Sequence, residues 1–179
     1  MANTAADVVV GFTGGLNFAP LATVLPVDAT TALGVGFLEV GYLTEAGVVQ
    51  SEGESQTKIK AWQGGDVVRI LTTEHSLTFK FEMMETNPNS LGLFYGDNYV
   101  AGTVEIKGGV KPHHAFVIEV MDGTSHIRIA IDDAQITERG DISYVNSDAV
   151  TYPVTIECFP NAEGVKATVF YETAGIPGA

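Results

Sequence analysis

SLTFKFEMM, residues 76–84, puts Leu77, Phe79, Phe81 and Met83 on one side of an extended backbone and Thr78, Lys80 and Glu82 on the other. Successive side chains of a β-strand point to opposite faces, so this alternation predicts a half-buried strand rather than a helix. The same period returns as Phe116, Ile118 and Val120 in HAFVIEVM, as Ile127, Ile129 and Ile131 in SHIRIAID, and as Val154, Ile156 and Cys158 in YPVTIECF. Further strands are predicted at Leu33–Leu43, Gln56–Trp62, Asp66–Leu71, Val100–Lys107 and Val165–Tyr171, separated by GG, DG and EG turn signals. Many short strands at this spacing mean a sandwich or a barrel.

Composition agrees with that reading. A chain of 179 residues is long enough to bury about 70% of its unfolded surface as one domain. With 45% hydrophobic and only 17% charged residues it is not disordered, and its 20 glycines suit strands joined by tight turns. The single cysteine, Cys158, allows no internal disulfide, and the start MANTAADVVVGF lacks the basic and apolar regions of a secretory signal. No apolar run approaches the roughly 18 residues of a membrane helix. The expectation is a protein made in a cytoplasm and soluble when synthesised. A net charge of -13 opposes non-specific binding to DNA or to an anionic membrane.

TNPNSLGLFYG breaks the β pattern. Asn87 is placed to cap a helix, Pro88 suits its first position, Leu91, Phe94 and Tyr95 recur at helical spacing, and Gly96 stands where a helix ends. One short helix over Pro88–Tyr95, packed on the sheet, is predicted. Residues 1–32 show little alternation and read as an N-terminal arm, leaving 33–172 as the β domain and 173–179 as a C-terminal tail. Within the domain, residues 44–57 hold Glu45, Glu52 and Glu54 and, until Thr57, no cation, so they read as a protruding acidic loop.

Catalytic chemistry finds little support. His113 and His114 with Glu119 and Gly123 faintly suggest the metal motif of a cupin, but neighbouring residues on a strand face opposite ways. The favoured reading is a solvated turn before a strand. His126, Arg128 and Asp132 share a face and read as a polar cross-strand cluster. Asp132, Asp133 and Glu138 match no calcium-loop spacing. Cys158 has apolar neighbours of its own parity and reads as a small buried hydrophobe.

KIKAWQGGDVVR, residues 58–69, stands out against the acidic background. Lys58, Lys60, Arg69 and Lys80 are four of only nine lysines and arginines. On a strand Lys58, Lys60 and Trp62 would share a face, and GGD would reverse the chain. Such a basic face could be an ordinary solvated surface, a nucleic-acid site using phosphates and stacking on Trp62, or a dock for an acidic neighbour of its own kind. Binding nucleic acid would need more cations and fewer carboxylates such as Glu54 and Asp66 nearby.

FLEVGYLTEAGVVQSEGES, then IKAWQGGDVVR, then TEHSLTFKFEMMETNPNSLGLFYG, closely resemble the major tail tube proteins of long-tailed bacteriophages, particularly those infecting actinobacteria. APLATVLPVDATTAL, ahead of them, is also similar. The resemblance is strong over residues 18–96. It implies a mainly β fold, an antiparallel β-sandwich or partly open β-barrel with one flanking helix and an extended arm, loop and tail. It implies a structural virion protein without catalysis or cofactors, synthesised in the host cytoplasm. Sixfold rings would stack into a hollow tube that carries the genome to the host, with no specific DNA binding and no membrane. Its partners would be further copies of itself, a tape-measure protein, a tail terminator and a baseplate or tail tip. Residues 1–32, Thr44–Thr57 and the end from Glu172 would reach neighbouring subunits. Lys58, Lys60, Trp62, Arg69, Glu45, Glu52 and Glu54 are the interface candidates. A small metal-dependent β-barrel enzyme of cupin type is the alternative.

Overall fold

The computed structural model describes residues 8–96 and 99–172. In chain order they form β1 (Thr13–Pro20), β2 (Leu38–Glu39), β3 (Leu43–Lys60), β4 (Val67–Met83), α1 (Pro88–Tyr95), β5 (Tyr99–Val100), β6 (Thr103–Val104), β7 (His113–Asp122), β8 (Ser125–Arg139), β9 (Tyr152–Cys158) and β10 (Thr168–Glu172). Apart from the small β5–β6 ribbon, all strands join one sheet in the order β2-β1-β7-β8-β9-β4-β3, with β10 also on β8. Every pairing is antiparallel.

The long strand β8 divides the sheet into two layers. Its residues 126–130 pair with β10 and its residues 134–139 with β9, while β7 runs along its other edge. The alternation that began at Leu77 carries the core: Phe79, Phe81 and Met83 on β4 meet Tyr152, Val154, Ile156 and Cys158 on β9 in one buried cluster. Leu16 and Phe18 of β1, four strands away, belong to the same cluster. A flat sheet that wide could not be covered by an eight-residue helix, so the sheet curls over its own core. The outermost strands β2 and β3 do not pair with each other, which leaves the barrel open. The fold is the expected mainly β, sandwich-like antiparallel one.

The far side of β1, β7 and β8 is buried too. Ala19, Ala115, Val117 and Ala130 lie opposite the core face, and the connection between β1 and β2 closes over them with Ala29. Arg128 holds that connection in place. Only 3% exposed, it donates from Nη1 to the carbonyls of Asp28 at 3.0 Å and Thr31 at 2.7 Å, and from Nε to Oε1 of Glu119 at 2.9 Å. Asp28 is fixed in turn by Thr31, whose hydroxyl and N–H, with the N–H of Thr30, donate to its carboxylate and hold its pKa below the usual range.

The helix follows its predicted bounds, and its ends show why. Asn87 Oδ1 accepts from the Ser90 N–H at 2.8 Å while Ser90 Oγ accepts from the Asn87 N–H at 3.2 Å, a reciprocal cap. Gly96 closes the other end in the left-handed region at φ 76°. Leu93 and Phe94 are buried against the core. Asn87 Nδ2 also donates to the Val40 carbonyl, so Asn87→Ala removes a cap and a tether. It is expected to cost about 1–2 kcal/mol, read from the urea midpoint at unchanged slope.

Four expectations are corrected. Residues 13–20, read as part of an arm, form the core strand β1; Gly14, Gly15 and Pro20 hide its alternation. Gly14 is required by close approach, since a Cβ there would fall 2.3 Å from the Glu119 carbonyl oxygen. The strand expected at Leu33–Leu43 shrinks to Leu38–Glu39, because Gly36 and Gly41 take φ of 113° and 89°. Thr44–Thr57 is not a loop but part of the 18-residue β3. Val100–Lys107 gives only the short ribbon β5–β6. Residues 1–7 and the proposed tail 173–179 lie outside the described residues.

Candidate functional site

The outer half of the β3–β4 hairpin is the feature that the core does not explain. From Ser51 to Lys60 and from Trp62 to Ile70, every residue is exposed, so this part of the ribbon has no buried face. A two-stranded ribbon in water is marginal alone, and it carries apolar side chains that solvent does not favour. Ile59, Val67, Val68 and Ile70 are all exposed, and Trp62 is 96% exposed. These residues gain most by meeting a partner surface.

Register fixes where the interface candidates stand. Lys58 lies opposite Ile70 and Ile59 opposite Arg69. Facing residues of an antiparallel pair share a side, so Lys58 and Lys60 are on one face of the ribbon and Arg69 is on the other. Trp62 sits in the turn between the strands, at the tip, and does not continue the lysine face. Lys80 pairs with Val49 near the base, roughly 30 Å from Ile70 at ~3.3 Å per residue. The four cations therefore do not form one patch: three surround the tip and the fourth is remote. Glu52 and Glu54 pair with Leu77 and His75 on the lysine face but nearer the base. Glu45 lies in the irregular stretch between Leu43 and Val48.

The edge of β3 is managed against indiscriminate pairing. Register breaks fall between Leu43 and Val48, between Ser55 and Gln56 and between Ile59 and Lys60, and charges line the strand. Sequence reasoning missed the exposed Ile59, Val67, Val68 and Ile70 as candidates. Their spacing looks like that of a buried strand, and only the absence of any covering layer reveals their role.

The other candidates resolve into structural contacts. His113 and His114 open β7 and are not a solvated turn; they face opposite ways. His113 Nδ1 lies 2.6 Å from Asp133 Oδ1 and its ring packs on Phe159, whereas His114 is buried edge-on against Phe18. Arg128, expected in a cluster with His126 and Asp132, is engaged by Glu119, its cross-strand partner. Among the described residues no group of three or more His, Cys, Asp or Glu is placed to hold a metal ion. Among the same residues no helix is long and apolar enough to cross a membrane.

Cys158 belongs to the core, and burial pushes its thiol up to about 12. Burial disfavours the thiolate, which is the reactive form. A thiol-specific reagent at pH 8 is expected to leave the native protein unmodified and to label one thiol per chain in denaturant. Native labelling at the denatured rate would contradict that burial.

The profile of a family described as "Phage tail tube protein" matches residues 1–175. No curated protein matches the chain. Among solved structures, the sheath-tube complex of an extracellular contractile injection system, PVC, in its extended state aligns at TM-score 0.51 and 7% identity, covering 95% of each chain. At that identity the likeness shows the fold alone. The sheath/tube terminator of the same system aligns at TM-score 0.49 and 8% identity over 93% of this chain and 99% of that one. The tube-terminating cap of the anti-feeding prophage aligns at 0.48 and 12% over 97% and 100%.

Proposed function

The chain belongs to the phage tail tube protein family, and from that we propose that its subunits close into sixfold rings which stack into the hollow tail tube of a long-tailed phage. Its role is structural. The tube conducts genomic DNA to the host during ejection, and no step of that work is catalytic or needs a cofactor. The subunit is synthesised in the host cytoplasm and ends in the virion. Its partners are other copies of itself, then a tape-measure protein, a tail terminator and a baseplate or tail tip.

One observation carries this reading beyond the family match: a ribbon exposed on both faces with an apolar and basic tip. A monomer has no use for such a ribbon, while a head-to-tail assembly covers it and closes into a ring when the rotation allows. Net charge -13 suits the conduit, because an acidic wall repels the polyanion and lets it slide. The face of β9, β4 and β3 away from the core presents Ser51, Thr78, Thr155, Glu82 and Glu157 around Lys80. We assign that face to the lumen.

Negative-stain microscopy of the purified protein is expected to show rings or hollow tubes. Monomers carrying stoichiometric iron or manganese would instead support the cupin-type enzyme.

A further inference from the structure

We propose that the hairpin tip of one subunit docks in the open seam of the next, a cleft between the unpaired edges of β1 and β3. The cleft measures about 1030 Å³ and is bounded by Gly11 to Gly15 at the start of β1, the start of β3 from Leu43 to Val48, and the β2 and α1 approaches. It exists because the barrel is open. β2 pairs with β1 only at Asn17 and Phe18, so Thr13–Gly15 have no strand on that side among the described residues. β3 is the last strand of the sheet, and among the described residues its outer edge is free as well. Two free edges facing one gap can accept an added strand or ribbon through main-chain hydrogen bonds.

Charge chooses the occupant. Glu39, Glu45, Glu85 and Glu119 line the cleft, and among the described residues no lysine or arginine does. Glu119 is committed to Arg128, and Glu85 accepts from the Tyr42 N–H at 2.9 Å, which leaves Glu39 and Glu45 as the open acceptors. Residues 56–72 at the hairpin tip hold Lys58, Lys60 and Arg69 against one carboxylate, Asp66. Trp62 adds about 150–250 Å² of aromatic surface to bury. Charge and shape thus match one end of this chain to the other.

The tip cannot reach its own cleft. Glu45 and Lys60 lie on the same extended strand, roughly 50 Å apart at ~3.3 Å per residue. The occupant is therefore a second copy, and the contact is head-to-tail.

This inference rests on the tail tube reading, and the test separates the two. In an E45C/K60C variant, oxidised under assembly conditions, an intermolecular disulfide ladder is expected on non-reducing gels, since Cys158 is buried and the two new thiols are too far apart within one chain. In parallel, K58E/K60E and E39K/E45K are each expected to raise the concentration needed for assembly about tenfold or more, and the four substitutions together to recover most of that loss. Tubes of unmodified protein, with no ladder and no rescue by the charge swap, overturn this docking alone. Unmodified protein that stays monomeric overturns both readings.

Discussion

Reversing the charge of the hairpin tip with K58E/K60E, or truncating it with Trp62→Ala, is expected to abolish tube formation at concentrations where the unmodified protein assembles. Trp62 is the most exposed aromatic anchor at the tip, and anchors of this kind are worth at least about 2 kcal/mol at an interface. That loss, repeated at every subunit contact, raises the concentration needed for growth about 30-fold per contact. Folding should hardly notice. Lys58, Lys60 and Trp62 are not core residues and every neighbour on the outer ribbon except half-buried Ala61 is exposed, so stability changes by no more than about 0.5 kcal/mol. Sedimentation and thermal melts on the same preparation separate the two effects. Normal polymerisation of both variants would remove the ribbon from the assembly interface.

Arg128→Met should do the reverse, damaging the fold first. The guanidinium is buried, bound to Glu119 and to two carbonyls of the β1–β2 connection, and its removal leaves Glu119 and those carbonyls without their donor. Breaking a buried pair from one side costs about 3–5 kcal/mol. For a chain of this size the melting temperature should fall by roughly 10 °C. Replacing both partners, in R128M/E119L, should recover much of the loss, because the uncompensated carboxylate goes too. A melting temperature within about 3 °C of the unmodified protein would show that Arg128 does not anchor the connection.

Where one face of a strand is buried, the sequence was readable. SLTFKFEMM and YPVTIECF alternate because one side meets the core and the other does not, and both are strands whose apolar residues join the central cluster. The helix was readable because Asn87, Pro88 and Gly96 each have a defined place at a helix end. The hairpin was half readable. GGD marked its turn, but beyond Ser51 neither face is buried, so the period-two signal that identifies a strand has no cause, and Thr44–Thr57 looked like a loop.

β1 failed for another reason. Only Leu16 and Phe18 mark its core face, Ala19 is buried on the opposite face, and Gly14 is dictated by contact with the β7 backbone, so little alternation survives. The candidate site divides in the same way. Lys58, Lys60, Trp62 and Arg69 were legible as cations and an aromatic out of keeping with an acidic chain, and all four surround the tip. Their distribution over two faces and a turn depends on register, which no single-strand pattern contains. Glu39 and Glu45 lie on the cleft through tertiary proximity alone.

A reconstruction of the assembled protein by electron cryomicroscopy would decide how the subunits meet. A hollow tube of stacked sixfold rings is expected, with the β3–β4 ribbon of each subunit lying on its neighbours and the Glu82 and Glu157 face toward the channel. A solid fibre, or an assembly in which the ribbon projects into solvent untouched, would contradict it.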